Sequence, residues 1–580
     1  MLEFIQLLKH RYQTVLAQQS IATDKTLYQQ RIDKLILAEA FMRKGQAVNQ
    51  RNSLPLQIAV IGPTQVGKSS VVNVLLETSA AAGVSPLAGY TVHPQGFCHR
   101  LDIADCAGLQ HYFGRFQCLP QEQLSKQRLD CYALQNTFAE SSLLPECVLW
   151  DTPDFDSIDS DTYREGVIRT LALADIIVLV VSKEKYADQT VWEMMAMLAG
   201  LQQPTLICLN KLLEGAEALL LPSLQEKWQQ VRDDAFPDVI PLYYQKPIGL
   251  PIWPEAKKAS LLKLVSKISA KKHPRIEQQL LQKYWADWLQ PIKAEHQSLA
   301  EWEAMVSKSM QESLASYQRD FLNHPHHYET FQQAMAELLT LLEIPGLAGF
   351  LTGARKAMTW PVRQLMKFGR KQLHLTETSH EIVLLKQIAE HSLIHLAEAL
   401  LDKSSQGEQA LWWKELSQQL RSQRSQLLLD FADNAKNYHL GFQQDVEQTA
   451  HSLYYKLQEQ PLVLNSLRAT RVTADAAVIA LTLHTGGIGV HDLVIAPAML
   501  TVTSLLTESA IGSYMQKLES QLKKQQLQAV KQQLFVDGIN TKLLSLPAQL
   551  SALSHFNITP SQLSTAEQQL KEKRHGLRLL

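Results

Sequence analysis

One glycine-rich turn constrains this chain more than any other feature. A β-branched run at residues 58–61 leads into the octapeptide G-P-T-Q-V-G-K-S at residues 62–69, which has the form G-x-x-x-x-G-K-S. Residues 71–76 follow without glycine or proline, as expected for a helix. A strand, loop and helix in this order curl backbone N–H groups around a phosphate, and the helix dipole favours the anion. The stretch therefore predicts a nucleotide phosphate site, with an ordinary glycine turn as the alternative.

The motif also predicts what its side chains do. Lys68 is expected to reach the terminal phosphates, and Ser69 is expected to place its hydroxyl on Mg²⁺. Both residues therefore belong to the predicted catalytic set. The residues of this loop that we expect to contact the nucleotide are Gly62, Gln65, Val66, Gly67, Lys68, Ser69 and Ser70.

Length, charge and cysteine usage exclude several classes of protein. With 580 residues the chain is too long for a single core, so several domains are expected. Lys and Arg total 56 against 57 for Asp and Glu, so no overall field attracts nucleic acid, and no nucleic-acid partner is expected. Six cysteines without a C-x-x-C pair predict free thiols in a reducing compartment. The first residues resemble neither a signal peptide nor an anchor, which predicts a cytoplasmic protein.

Apolar spacing predicts the order of elements in the first half of the chain. Helical spacing over residues 1–50 predicts a hairpin of two helices. Residues 51–255 alternate strands and helices, as in a doubly wound α/β sheet. The later strands are expected at residues 147–150, 174–182, 205–209 and 239–244, and the helices at 163–173, 187–201 and 224–236. Residues 83–145 are expected to form an insertion, with a strand at 97–101 and structural thiols in a small satellite lobe.

With these elements in place, residues 54 to about 255 resemble a P-loop GTPase domain of the translation-factor-related class, which includes Ras-like, Era-like and dynamin-like proteins. The resemblance implies that Asp151, in D-T-P-D, contacts Mg²⁺, and that Asn210 and Lys211 bind the base. It places the switch threonine, a Mg²⁺ ligand and the third member of the catalytic set, at Thr91. Two other threonines are alternatives for that position, Thr64 and Thr78. The implied ligands are GTP and Mg²⁺, and the implied metal contacts are Ser69, Thr91 and Asp151.

Three positions depart from the pattern of this class. Asp154 stands where D-x-x-G ends in glycine, and an acid there repels the γ-phosphate, so switching or hydrolysis is expected to be altered. Leu213 stands where N-K-x-D has its aspartate, and the nearest acid is Glu214. Guanine donors left unpaired cost about 1–3 kcal/mol each, so either Glu214 substitutes or base selectivity is poor. Phe155 follows Asp154 where a glutamine would orient water, which implies slow basal hydrolysis.

Residues 256–580 change character and predict a helical bundle or stalk. Long Gln-rich segments with apolar residues at helical spacing need partner helices for their apolar stripes. These segments are residues 261–342, 378–457 and 513–546, and residues 404–407 are expected to interrupt the middle one.

Two stretches within that region carry a second functional clue. Residues 344–373 combine a basic side with an apolar side, as in an interfacial membrane helix, and a core helix with a solvated basic face is the alternative. Residues 474–512 contain two apolar arms around Gly486-Gly487-Ile488-Gly489, each too short or too interrupted to span a bilayer. A buried hairpin, or one that dips into a single leaflet, is expected. This order of elements resembles that of dynamin-like proteins, without a shared motif.

Together these features predict a GTP-binding protein that hydrolyses GTP slowly and couples Mg-nucleotide binding to rearrangement of its helical domain. The predicted partners are a guanine nucleotide, a membrane surface reached through residues 344–373 and 474–512, and a second copy in a homodimer or oligomer. Localisation is predicted to be cytoplasmic, with a peripheral position on the inner face of a membrane as the membrane-bound form. The alternatives are a nucleotide-binding scaffold that does not hydrolyse GTP and a regulator that uses ATP.

Overall fold

The computed structural model divides the chain into two compact units. The first contains Met1–Lys293 and Ala552–Leu580, and the second contains Ala294–Ser551. The described residues are 1–18, 22–49, 54–78, 81–83, 91–138, 141–154, 161–244, 251–324, 334, 338, 341, 379–405, 409–469, 512–551 and 555–576. The division of the chain into domains at 1–50, 51–255 and 256–580 stays a prediction.

An eight-stranded sheet forms the centre of the first unit. Its strands are β1 (Gln57–Ile61), β2 (Gln95–His99), β3 (Gln117–Cys118), β4 (Cys131–Asn136), β5 (Cys147–Asp151), β6 (Ile176–Ser182), β7 (Thr205–Leu212) and β8 (Val239–Tyr243). Their order in the sheet is β3-β4-β2-β5-β1-β6-β7-β8. Strands β5, β1, β6, β7 and β8 run parallel, and β2 runs antiparallel to β5. The β1 strand is buried along its whole length, as a central parallel strand with helices on both faces must be.

Helices cover both faces of this sheet. They include α1 (Leu2–Gln18), α2 (Ala22–Asn49), α3 (Lys68–Leu75), α4 (Gly108–Phe113), α5 (Asp161–Leu173), α6 (Gln189–Leu198), α7 (Glu217–Val231) and α8 (Ser260–Val265). Short 3₁₀ turns lie at Ile103–Cys106, Gln121–Gln123, Ala199–Leu201, Glu255–Lys257 and Ala270–Lys272. The C-terminal helix Pro560–Gly576 also belongs to this unit, where nearby Phe556 packs edge-on against Tyr12 of α1 at 4.8 Å between ring centroids.

The predicted doubly wound α/β fold followed by a helical region is confirmed. Two details of the prediction are wrong. The helix expected at residues 224–236 is α7, which begins earlier because its buried stripe already includes Leu220, four residues before Leu224. Residues 83–145 do not form a satellite lobe, because β2, β3 and β4 extend the main sheet, with Cys98 opposite Val148.

Buried ion pairs hold the N-terminal helices against α5. Glu39 of α2 and Glu165 of α5 are almost completely buried. Both carboxylates contact Lys9 of α1, at 2.6 and 3.2 Å, and both contact Arg169 of α5, at 3.2 and 2.7 Å. Three helices therefore share one buried charge network, which fixes the helix that follows the D-T-P-D loop.

The second unit is helical and has its own apolar core. Helix α9 (His273–Tyr317) contains the division between the units and continues as a π-helical turn at Gln318–Leu322. The unit's other helices include α10 (His380–Ser404), α11 (Ala410–Gln458), α12 (Pro461–Ala469), α13 (Gly512–Ala529) and α14 (Thr541–Ser545). A π-helical segment joins α13 to α14 at Val530–Asn540, and a 3₁₀ turn follows at Leu546–Gln549. The long middle segment is interrupted near residues 404–407, as predicted, because α10 ends at Ser404 and α11 begins at Ala410.

One buried carboxylate links the helices of this unit. Glu381 of α10 is 1% exposed and accepts hydrogen bonds from four side chains. The donors are Tyr317 Oη at 2.6 Å, Tyr438 Oη at 3.0 Å, Gln526 Nε2 at 2.8 Å and His439 Nδ1 at 2.9 Å. Burial and the neighbouring Glu381 charge raise the pKa of Tyr317 and Tyr438, so both phenols stay protonated as donors.

The two stretches predicted to meet a membrane lie outside the described residues, apart from Gly512 at the end of the second. These are residues 344–373 and 474–511. In the part of the chain that the structure describes, no helix combines the length and the apolar character needed to cross a bilayer.

Candidate nucleotide site

Two glycines shape the loop between β1 and α3. Gly67 precedes α3 with φ 88°, a left-handed conformation that glycine adopts without strain. A Cβ on Gly62 would lie 2.2 Å from the backbone oxygen of Val180 in β6, so only glycine fits there. The loop lies at the carboxyl end of β1, where parallel α/β sheets place their ligands. The backbone of the predicted phosphate loop therefore has the expected form.

Lys68 points back across this loop. Its Nζ donates to the backbone oxygens of Gly62 at 3.0 Å and Pro63 at 3.1 Å. It also forms an ion pair with the carboxylate of Asp154, and both side chains are buried. The predicted phosphate-binding lysine is thus held by two carbonyl oxygens of its own loop and by the carboxylate of Asp154 from the D-T-P-D segment.

Ser69, Asp151 and Thr91 meet beside the loop. Ser69 Oγ donates to Asp151 Oδ2 at 2.6 Å and lies 3.5 Å from Thr91 Oγ1. The other carboxylate oxygen of Asp151 is buried and has no hydrogen-bond partner among the described residues. Burial raises the pKa of Asp151 to about 6, against the opposing effect of the Ser69 hydrogen bond. The structure brings together the three residues predicted as metal contacts.

This group of oxygens fits Mg²⁺. The ion takes oxygen ligands in octahedral geometry and usually keeps waters and substrate phosphates in its shell. The hydroxyls of Ser69 and Thr91 are neutral oxygen ligands, and the unpartnered oxygen of Asp151 is an acceptor for a metal-bound water. A nearby cation would also favour the ionised form of Asp151, which burial disfavours.

The predicted base-binding residues contact the same loop from β7. Asn210 Nδ2 donates to the backbone oxygen of Val66 at 2.8 Å, and Lys211 Nζ donates to that of Gln65 at 2.6 Å. Lys211 has φ 57°, in the left-handed region, and the register of β7 against β8 shifts between Leu209 and Leu212. These bonds fix the end of β7 against the loop, as a base-binding edge requires.

The acid expected to read guanine is missing from this edge. Leu213, at the position of the motif's aspartate, is 70% exposed. Glu214, the nearest acid, is also exposed. Neither the Leu213 nor the Glu214 side chain is buried against the rest of the protein. Gln65 is exposed as well, and Ser70 lies in the first turn of α3.

Sequence reasoning missed two contacts next to the site. Tyr163 of α5 donates its hydroxyl to the backbone oxygen of Asp154, which ties the D-T-P-D loop to α5. Asn73 of α3 donates to the oxygen of Ala82 at 2.9 Å and accepts from its N–H at 2.7 Å. An asparagine one helical turn after G-K-S could have indicated the Asn73 contact. No local sequence pattern indicates the Tyr163 contact.

The fold and the loop together define a P-loop GTPase domain. The family described as 50S ribosome-binding GTPase matches residues 57–211, from β1 to Lys211. This stretch begins at the strand before the phosphate loop and ends on the predicted base-binding pair. The predicted GTPase resemblance is therefore confirmed for this part of the chain.

Solved structures similar to the chain include bacterial dynamins. Two of them belong to an oligomerised bacterial dynamin pair, described as providing a mechanism for the long-range sensing and tethering of membranes. They are both 12% identical, with TM-scores of 0.33 and 0.31, and cover 99% and 95% of this chain and 95% and 94% of theirs. A third is the LeoA bacterial dynamin GTPase from ETEC, 13% identical with a TM-score of 0.22, covering 94% of this chain and 97% of its own. A comparison with curated proteins returned no match.

Proposed function

We propose that the chain binds GTP with Mg²⁺ at the loop between β1 and α3 and hydrolyses it slowly to GDP and phosphate. The observation that carries this proposal is the convergence of Ser69, Asp151 and Asn210 on one loop around Lys68. A glycine turn without a nucleotide role would not need these four side chains from three different strand ends. The GTPase family match over the same residues supports the guanine nucleotide.

Each residue has a defined task in this reaction. The loop N–H groups hold the phosphates, and Lys68 stabilises the charge that builds on the γ-phosphate as water attacks it. Ser69, Thr91 and Asp151 would hold Mg²⁺, which neutralises phosphate charge when bound. Asn210 and Lys211 position the base edge against the loop. Phe155 leaves the water without the usual glutamine, which is why we expect slow turnover.

Coupling to the helical region is the second half of the proposal. Nucleotide binding rearranges the D-T-P-D loop, and α5 and the N-terminal helices are tied to that loop through Tyr163 and the Glu165 ion pairs. Contact with a membrane surface is supported by the sequence pattern of residues 344–373 and 474–512. A second copy of the chain is the partner that we propose for completing a site without its own glutamine.

The binding half is tested with Lys68→Ala and a matched control. Lys185→Ala removes another lysine of the same unit, whose side chain is partly exposed and paired with nearby Asp188. We expect Lys68→Ala to weaken binding of a fluorescent GTP analogue by about 100-fold or more, since it removes a charge-assisted phosphate contact. The control should bind as the wild type does. Wild-type affinity in Lys68→Ala would overturn the site assignment.

A second candidate function is a scaffold that binds nucleotide without turnover. It is favoured by the ion pair between Asp154 and Lys68, because a lysine engaged by a carboxylate stabilises less charge on the γ-phosphate. Phosphate release by purified protein, with and without liposomes of anionic lipid, separates the two. Release above the level of Lys68→Ala supports the GTPase, and release at that level supports the scaffold.

A further inference from the structure

The contacts of Lys68 use all of its hydrogen-bonding capacity. A lysine ammonium carries three donor hydrogens and no acceptor. In this structure its Nζ contacts the oxygens of Gly62 and Pro63 and the carboxylate of Asp154. A γ-phosphate oxygen can reach this ammonium only if one of these partners leaves. The two carbonyls belong to the loop backbone, so the side chain of Asp154 is the partner that a γ-phosphate would have to displace.

The position of Asp154 is itself constrained. Its backbone oxygen accepts a hydrogen bond from the Tyr163 hydroxyl, and its side chain is about as buried as that of Lys68. The carboxylate therefore sits beside the ammonium as part of the packed site, rather than as a solvated surface charge. Where the class has glycine, this chain places a negative charge next to the group that receives the terminal phosphate.

The cost of this charge differs between nucleotides. A triphosphate brings its γ-phosphate to Lys68 and must displace or face the Asp154 carboxylate. A diphosphate brings only its β-phosphate to Lys68 and places no charge at the γ position, where the Asp154 carboxylate lies closest to the nucleotide. Like charges that close repel strongly in a buried site, because the effective dielectric is low. The penalty therefore falls mainly on GTP and is smaller for GDP.

We propose that Asp154 is an internal competitor of the γ-phosphate for Lys68 and sets a preference for diphosphate over triphosphate nucleotides. The inference rests on the proposed function, because it concerns the same loop. It assigns to Asp154 a specificity role that the class does not have at this position. A partner that pulls Asp154 away from Lys68 would raise GTP affinity, which makes this ion pair a point of control.

The test compares Asp154→Asn and Asp154→Gly with the wild type. Asp238→Asn is the control. Asp238 pairs with Lys257 at 2.6 Å and lies just before β8, at the amino ends of the parallel strands, whereas the loop lies at their carboxyl ends. Dissociation constants are measured for fluorescent GDP and for a non-hydrolysable GTP analogue, both with Mg²⁺. We expect the wild type to prefer GDP, and both Asp154 variants to shift the GTP-to-GDP affinity ratio toward GTP by about tenfold or more. The control should keep the wild-type ratio.

The possible outcomes distinguish a failure of this inference from a failure of the proposed nucleotide binding. If the wild type binds both nucleotides and both Asp154 variants keep its ratio, the inference is overturned and the binding site stands. If the wild type prefers the GTP analogue, the inference is overturned without reference to any variant. If the wild type and all variants bind neither nucleotide, the proposed function fails, and the inference fails with it. A thermal melt of each variant shows that the ratios come from folded protein.

Discussion

Asn210 donates its side-chain amide to the backbone oxygen of Val66 over 2.8 Å, and this hydrogen bond joins the end of β7 to the phosphate loop. The two residues are 144 positions apart in the chain, and the amide is buried. One contact therefore connects the part of the site that we propose to hold phosphate with the part that we propose to face the base. A Cβ on Gly67 would lie 2.6 Å from the same amide, which is a second reason for glycine there.

Asn210→Ala is expected to weaken GTP and GDP binding equally. The substitution leaves the Val66 oxygen unpaired, and a buried unpaired acceptor costs about 1–3 kcal/mol. If the loop must reorder when the nucleotide binds, this cost lowers the affinity roughly tenfold or more. Titration with fluorescent nucleotides measures the loss. Asn136→Ala, which removes an exposed side chain at the end of β4, should leave both affinities unchanged. Loss of GTP binding alone would contradict this account of Asn210.

Asp151→Asn is expected to remove the effect of Mg²⁺ on GTP binding. The amide still accepts the hydrogen bond from Ser69 through its oxygen but loses the charge that holds the metal shell. Chelating Mg²⁺ should weaken GTP binding to the wild type by about tenfold or more and change the variant little. Asp130→Asn, in an exposed pair with Arg128, should behave as the wild type. A variant with full Mg²⁺ dependence would show that Asp151 is not a metal contact.

Glu39 is expected to make the first unit sensitive to acid. Burial alone would raise the pKa of Glu39, but the charges of Arg169 and Lys9 overcome it and hold the pKa at about 2, below the ordinary 4.5. A depressed folded-state pKa stabilises the protein above the unfolded-state pKa, and this stability is lost as pH falls from about 5 to 2. Urea unfolding should show Glu39→Gln destabilised by on the order of 3 kcal/mol at pH 7 and by much less near pH 2. An equal difference at both pH values would contradict the ion-pair explanation.

Glu381 is expected to be the most sensitive polar position of the helical unit. Glu381→Ala removes the acceptor that four donors share, three of them buried, and should lower the free energy of unfolding by about 3–5 kcal/mol. Tyr317→Phe removes one donor and should cost about 1–2 kcal/mol. Glu398→Ala, an exposed position on the same helix, should cost little. Denaturant unfolding followed by circular dichroism measures the stability of all three variants. A Glu381→Ala variant as stable as Glu398→Ala would contradict the proposed role of Glu381.

The fold was predictable where the signal is local. The predicted phosphate loop has a recognisable glycine motif, and the strands β5 to β8 are short apolar runs bounded by turn residues. Their positions were therefore predicted to within a few residues. The predicted base-binding pair Asn210 and Lys211 was assigned by resemblance, and it lies in such a strand, β7. The predicted metal contact Thr91 was also assigned by resemblance, and the structure puts its hydroxyl beside Ser69.

What the sequence left open depends on long-range packing. The partner of Lys68 is 86 residues away, and no periodic pattern shows that Asp154 turns toward it. The strand β4 joins the main sheet only because β2 offers it an edge, a fact of topology rather than of local propensity. The network around Glu39 likewise assembles residues from three separated helices.

Competition between GTP and ATP for one fluorescent guanine nucleotide tests the central claim most directly. The N-K pair and the family match favour guanine, whereas Leu213 removes the side chain that normally rejects adenine. We predict that GTP displaces the probe at concentrations roughly tenfold lower than ATP, because the N-K pair is present and the aspartate is not, and that Lys68→Ala binds the probe too weakly to measure. Displacement by ATP at the same concentration as GTP would contradict a guanine-nucleotide site at this loop.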